Sequence, residues 1–312
     1  MKIEGKGGIS AEVIADSINK HGDRITSMQL HYHRFIHAEF LRQRMLSHSV
    51  SSSRAIPVKK MMDQVEGDFA CPIYWGRNEP GMSASEEVPQ PRGNGFDVMW
   101  GDFANSNCTF AKMMEEKELH KQIANRVLEP FQFINQVVTA TDYDNFYYLR
   151  LDNAAQPEIQ ELAKVMYEAM KNSIPVLLLE TEYHLPFISD KIKSKHSKEN
   201  QIKISASLCA QHSYRVSDPT LGKAKIIYDK LVNSRPLHAS PFEHIAKPFK
   251  DQEYELRLKQ KDIMKNGLMK LDFDSDYAET KSKIIMYEGN FKGWSQVRKE
   301  IKDETCNEYI GK

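Results

Sequence analysis

Met28, Leu30 and Tyr32 alternate with polar neighbours, the period-two pattern of a strand with one buried face. Directly after them Phe35, Ala38, Leu41 and Met45 recur at helical spacing, which predicts a helix from about Arg34 to Leu46. Residues 63–108 are rich in Gly, Pro and Asn and read as a long irregular segment. Leu119, Ile123 and Val127 share one face of a predicted helix over about 111–128, stopped by Pro130. Val137 to Thr141 reads as a short strand. Ile159, Leu162, Ala163, Met166, Ala169 and Met170 give a clear apolar stripe to a helix that opens at Pro157, a favoured first position. Further on, the polar stretch 191–201 reads as a connector, and Ile202, Ile204, Ala206 and Leu208 alternate as another strand. A helix over about 221–233 follows, then LHASPFEHIAKP at 237–248. From about 251 the chain is strongly charged, with a helix expected around GWSQVRKEI.

Composition changes this picture little. The 312 residues suffice for one large domain or two small ones. Lys and Arg together number 43, as do Asp and Glu, so the formal charge is zero. That balance argues against a general nucleic-acid binder, which carries a basic excess. No apolar run reaches the ~18 residues that a membrane span requires, and the N-terminus has no signal-peptide core. The four cysteines form no CxxC pair, so neither a zinc site nor a disulfide framework is expected. These features fit a soluble, cytoplasmic protein.

The charge is nevertheless concentrated. RQRMLSHSVSSSR, residues 42–54, holds Arg42, Arg44 and Arg54 among five serines. Guanidinium forks suit phosphate and carboxylate, and hydroxyls with backbone N–H groups complete an anion cradle. A solvated Ser-rich loop is the alternative reading of the same stretch. Arg126 near a helix end, Asn145 and Arg150 in NFYYLR, and His238 and His244 in the 237–248 segment are each as easily structural as functional when taken singly.

Together these stretches form a pattern. Arg42-Gln43-Arg44 is followed after seven residues by Ser52 and then Arg54. Asn145 precedes Arg150 by five residues, just ahead of PEIQ at 157–160. Arg126 lies four residues before Pro130, and His238, Ser240, Pro241, Glu243 and His244 form a His-x-Ser-Pro-x-Glu-His element. In this the chain resembles the flavin-dependent thymidylate synthases, across roughly 25–60, 118–171 and 202–250. In the resembling proteins the SPFEH-like element stands upstream of the arginine block; here it stands about 190 residues downstream, the order expected of a circular permutation. Gln43 stands where the family has His, Val50 where it has Glu, and Thr139 and Thr141 where Asn and Arg are usual.

The resemblance implies an α+β fold: one domain over residues 1–250 with a central mixed or antiparallel sheet flanked by helices, an irregular insertion at about 63–110, and a charged, helical extension over 251–312. It implies FAD as cofactor, NADPH and methylenetetrahydrofolate as co-substrates, and dUMP as the substrate methylated at C5, in a homotetramer with shared active sites. Carried over by position, Arg150 would stabilise charge on the uracil. Ser52, Ser53, Arg54 and Arg126 would hold the phosphate, with Glu39 near the base or sugar and Arg42 shared with the flavin. Arg42, Gln43, Arg44, Thr139, Ala140, Thr141, Asn145 and Ser240 would line the flavin, and His238 would order its site. No nucleic-acid partner, membrane contact or metal is expected. Hydroxymethylation of the same nucleotide, or a nucleotide-binding homologue without catalysis, are alternatives compatible with the same residues.

Overall fold

A computed structural model describes residues 2–90, 95–211, 217–266 and 289–305. The strands are β1 (Lys2–Glu4), β2 (Ser10–Asn19), β3 (Arg24–His33), β4 (Ser47–Val50), β5 (Phe133–Ala140), β6 (Val176–Leu178), β7 (Ala246–Pro248) and β8 (Trp294–Gln296). The helices are α1 (His37–Phe40), α2 (Val58–Gly67), α3 (Phe96–Glu116), α4 (Lys121–Ala124), α5 (Asp144–Arg150), α6 (Pro157–Lys171), α7 (Asp190–Lys195), α8 (Lys198–Gln211), α9 (Leu221–Asn233) and α10 (Asp251–Asn266).

The architecture is α+β, as expected. The main sheet runs β1-β2-β3-β5-β4, with antiparallel pairing throughout, and β6 adds in parallel to the far end of β2. Long β3 and β5 pair in continuous register from Thr26↔Ala140 to His33↔Phe133. This register sends Met28, Leu30, Tyr32, Ile134 and Val138 to one face, where the stripe of α6 covers them with Ile159, Leu162 and Met166. Period two on the strand and period 3.6 on the helix thus meet in a single core. The opposite face carries Ser27 and Thr139. It is closed at one end by β7 and β8, where Trp294 and Phe291 bury against Ile25 and Leu178. A separate helical cluster joins α2, α3 and residues 125–131 through Val58, Met61, Val65, Cys108, Leu128 and Phe131.

The pattern misleads in six places. The helix expected over 34–46 is a 3₁₀ turn at Arg34–Ile36 followed by the single turn of α1. Ile36 and Phe40 are the buried pair there, whereas Leu41 and Met45 are about 40% exposed, and the chain must turn at once to pair β4 with β5. The irregular segment over 63–108 is bracketed by α2 and α3, and the helix expected at 111–128 is the end of α3, then α4 and a 3₁₀ stretch containing Pro130. The connector at 191–201 contains α7 and the start of α8.

Residues 202–208 form part of α8 and join no sheet. Ile202 and Ala206 pack toward Phe242 and Val297, while Ile204 and Leu208 pack toward Ala224. A helix buried on two sides by residues four apart mimics strand alternation. Finally, GWSQVRKEI forms β8 and a 3₁₀ turn at Val297–Glu300. Gly293 takes φ +78°, and a Cβ there would lie 2.0 Å from an Asp23 carboxylate oxygen, so glycine is needed for this turn into the core. The boundary expected near residue 250 falls between the paired strands β7 and β8.

Behind the sheet lies a fully buried polar ladder. Ser17 Oγ meets His184 Nδ1 at 2.9 Å, and His184 Nε2 meets Ser27 Oγ at 2.8 Å. Ser27 bonds Thr139, whose Oγ1 meets His244 Nδ1 at 2.9 Å. Burial drives the His184 pKa down to about 3, against a smaller pull upward from Asp16. The unfolded chain therefore binds this proton more tightly than the fold does. Stability from neutral His184 is present above the ordinary histidine pKa of ~6.5 and is lost as pH falls from there toward 3. The expected result is a free energy of unfolding, measured in urea, that declines from pH 7 to pH 4. His184→Gln should lower the value at pH 7 and flatten that decline; an unaltered slope would refute this assignment.

Candidate active site

The arginine loop is held from beneath by aromatic side chains. Phe40, completely buried, meets Tyr32 and Phe146 edge-on, each at 5.5 Å between ring centroids. This packing fixes α1 against α5 and brings Glu39 to Arg150, with Arg150 Nη1 2.7 Å from Glu39 Oε1. Both side chains are only a quarter or so exposed. Arg150 Nε is buried and has no hydrogen-bond partner, a donor left with nothing to give to. The Glu39 carbonyl accepts from Arg42 N at 3.2 Å, so the pair is one turn from the loop.

Arg42, Arg44 and Arg54 project into solvent, and none has a carboxylate within salt-bridge distance among the described residues. The Gln43 carbonyl instead accepts from His48 Nε2 at 3.3 Å. His48 continues inward through Gln136 to Tyr32 and His37. Burial lowers the His48 pKa and takes that of His37 to about 4, so this relay is uncharged at neutral pH. The loop's positive charge is therefore supplied by arginine.

Beyond β4 the serines turn. Ser51 N bonds Asn135 O at 3.1 Å, and Arg54 N donates to Ser52 Oγ at 3.3 Å. Ser53 is buried, and its Oγ donates to Glu129 Oε1 at 3.4 Å. The same oxygen takes Arg126 at 2.7 Å and Arg34 at 2.8 Å. Asn125 Nδ2 clamps the turn by donating to the carbonyls of Ser53 and Ile56. Glu129 thus gathers Arg126, Arg34 and the serine turn at one point, beside a pocket of about 840 Å³ lined by His31, Arg34, Ser51, Ser53, Gln132 and Asn135 among others.

The remaining expected residues are more scattered. Thr139 is fully buried, opposite Ser47, with its hydroxyl occupied by Ser27 and His244. Ala140 is buried, and Thr141 Oγ1 accepts from Lys292 N at 2.9 Å. Asn145 lies exposed on α5. His238 and Ser240 are exposed at the start of the 3₁₀ turn Ser240–His244, which sits against β4. Gln296 Nε2 ties this turn in place, reaching both Ser47 Oγ and the Glu243 carbonyl. The element some 190 residues downstream does therefore meet the arginine loop.

Sequence reasoning missed Arg34, Asn125, Glu129, His48 and Lys292. The i,i+3 spacing of Arg126 and Glu129 was a legible signal; Arg34 and Lys292 reach the site only through tertiary packing.

A sheet edge at which several guanidiniums and hydroxyls converge has the chemistry that suits phosphorylated ligands. Residues 24–176 match the family described as thymidylate synthase complementing protein, the flavin-dependent thymidylate synthases that the sequence resembles. The match spans both the arginine loop and NFYYLR and stops before the SPFEH element. No curated protein matches the chain. No described helix is long and apolar enough to cross a membrane, and no described cluster of His, Cys, Asp and Glu could hold a metal ion.

Proposed function

We propose that this protein converts dUMP to dTMP, taking the one-carbon unit from methylenetetrahydrofolate and reducing equivalents from NADPH through FAD. The observation that carries the reading is Arg150, joined to Glu39 one turn from the arginine loop and holding a buried, partnerless N–H. Arg42 and Arg44, lacking carboxylate partners among the described residues, suit the pyrophosphate of a dinucleotide. Gln43, Asn145, His238, Ser240 and Thr141 would border the same cofactor. Bound reduced FAD would supply the hydride.

The chain's own contribution is binding and charge placement. Arg150 lies against the uracil and stabilises negative charge at N3 or the adjacent oxygen, which raises nucleophilic character at C5. Glu39 fixes that guanidinium. Ser52, Ser53, Arg54 and Arg126 take the phosphate, with Glu129 setting the position of Arg126. The meeting of the Ser240–His244 turn with β4 supports the permuted order, and a homotetramer would complete the shared sites.

Deoxyuridine is therefore expected to bind much more weakly than dUMP. Arg54→Ala and Arg126→Ala should each weaken dUMP binding roughly 10- to 100-fold, the scale of one charged hydrogen bond at ~1.5–3 kcal/mol, and leave nucleoside binding unchanged. Competition binding with nucleoside and nucleotide tests this, and an unchanged preference for the monophosphate in both variants sinks the assignment. Mass analysis of the product from dUMP, folate and NADPH separates methyl from hydroxymethyl transfer.

A further inference from the structure

Helix α3 seats on its own domain through Gly101, Ala104, Cys108 and Ala111, all on one side. Its other side carries Phe96, Met99, Phe103, Phe110 and Met113, which are 36%, 50%, 60%, 56% and 48% exposed. With Ser106 included, these positions follow one another in alternating steps of three and four, the spacing of a coiled-coil seam. Eighteen residues of such a stripe run for ~27 Å along the helix. Single domains rarely leave a continuous aromatic and methionine surface of this kind in water.

We propose that this face is the contact between two copies of the chain, their α3 helices packed antiparallel about a two-fold axis. The sequence of the stripe is complementary to its own reverse. Aligned about the midpoint between Ala104 and Asn105, Phe96 of one copy faces Met113 of the other, Met99 faces Phe110, and Phe103 faces Ser106. Every phenylalanine then meets a methionine or a serine, giving sulfur–aromatic layers and a small residue opposite each central ring. A parallel pairing would stack Phe103 on Phe103 and Phe110 on Phe110.

The charges agree with the antiparallel sense. The last turn of α3 holds Glu115 and Glu116 with no basic residue, unfavourable at the negative end of a helix. The antiparallel partner brings the positive end of its own helix dipole to that end, where the Gly95 N-cap contributes no side chain and Gln90 Oε1 takes the Phe96 N–H at 2.8 Å. Asp102 falls opposite Asn107 rather than opposite another acid.

Sedimentation of the full chain should show an assembly whose mass is halved by Phe103→Glu combined with Phe110→Glu, with the circular dichroism spectrum retained because neither ring packs inside its own chain. The Met99→Cys/Phe110→Cys pair should give a disulfide-linked dimer under mild oxidation, with the link mapped between positions 99 and 110. Neither single variant, nor the unmodified chain, should link at these positions. Linkage by Met99→Cys alone would establish a parallel seam and overturn the proposal. So would an unchanged mass in the double Glu variant, or failure of the cysteine pair to link.

Discussion

Arg150→Ala should reduce dTMP formation by roughly 10²–10³-fold, the effect of removing one donor aimed at developing charge, worth ~2.7–4 kcal/mol. The guanidinium is placed by two independent constraints. Phe146 and Tyr147 bury α5 against the sheet, and Glu39 takes one arm of the fork at 2.7 Å. Its Nε, buried without a partner, is the part of the group still to be satisfied. Arg150→Lys should recover little, because a single ammonium cannot hold Glu39 and reach a second acceptor in the geometry of a planar fork. Glu39→Gln should lower activity less, since the cation remains although its aim is looser. The measurement is steady-state turnover of dUMP together with the absorption spectrum of retained flavin. Full activity in Arg150→Ala would remove the basis for the catalytic assignment, whereas loss of flavin would show that the residue serves the cofactor instead.

Trp294→Ala should destabilise the fold by ~3–5 kcal/mol, the usual cost of emptying a large aromatic site. Trp294 has no exposed surface; its ring lies edge-on to His184 at 6.4 Å, and its indole N–H donates to Asp23 O at 3.2 Å. It packs with Ile25, Leu178, Ala246 and Phe291, joining the strand near the end of the described chain to the start of β3. At ~2–4 °C per kcal/mol for domains of 150–250 residues, the thermal midpoint should fall on the order of 10 °C. Calorimetry decides the matter: a fall of only a degree or two would mean that β8 is dispensable to the main sheet.

The strand at residues 24–33 and the helix at 157–171 were legible because each buries one face against the other, so that local period and tertiary burial agree. The residues of the candidate site were legible for a different reason. The spacing from Arg42 to Arg54 and from Asn145 to Arg150 survives in the sequence because one loop or one helix carries each set. What failed was any element whose burial is two-sided or cut short. α8 is clasped between two clusters and so alternates like a strand. The helix expected after Arg34 gives way because β4 must reach β5.

Nothing local in GWSQVRKEI announces a strand, since its partner β7 and the pocket for Trp294 lie far away in sequence. The sequence by itself determined which side chains carry charge to the site and which faces of β3 and α6 are apolar. Only the tertiary structure decided that Glu129 joins Arg34, Arg126 and Ser53, that Glu39 takes Arg150, and that the Ser240–His244 turn closes on β4. Those meetings depend on long-range pairing of the sheet, whose closure cost is offset by contacts that no short stretch of sequence contains.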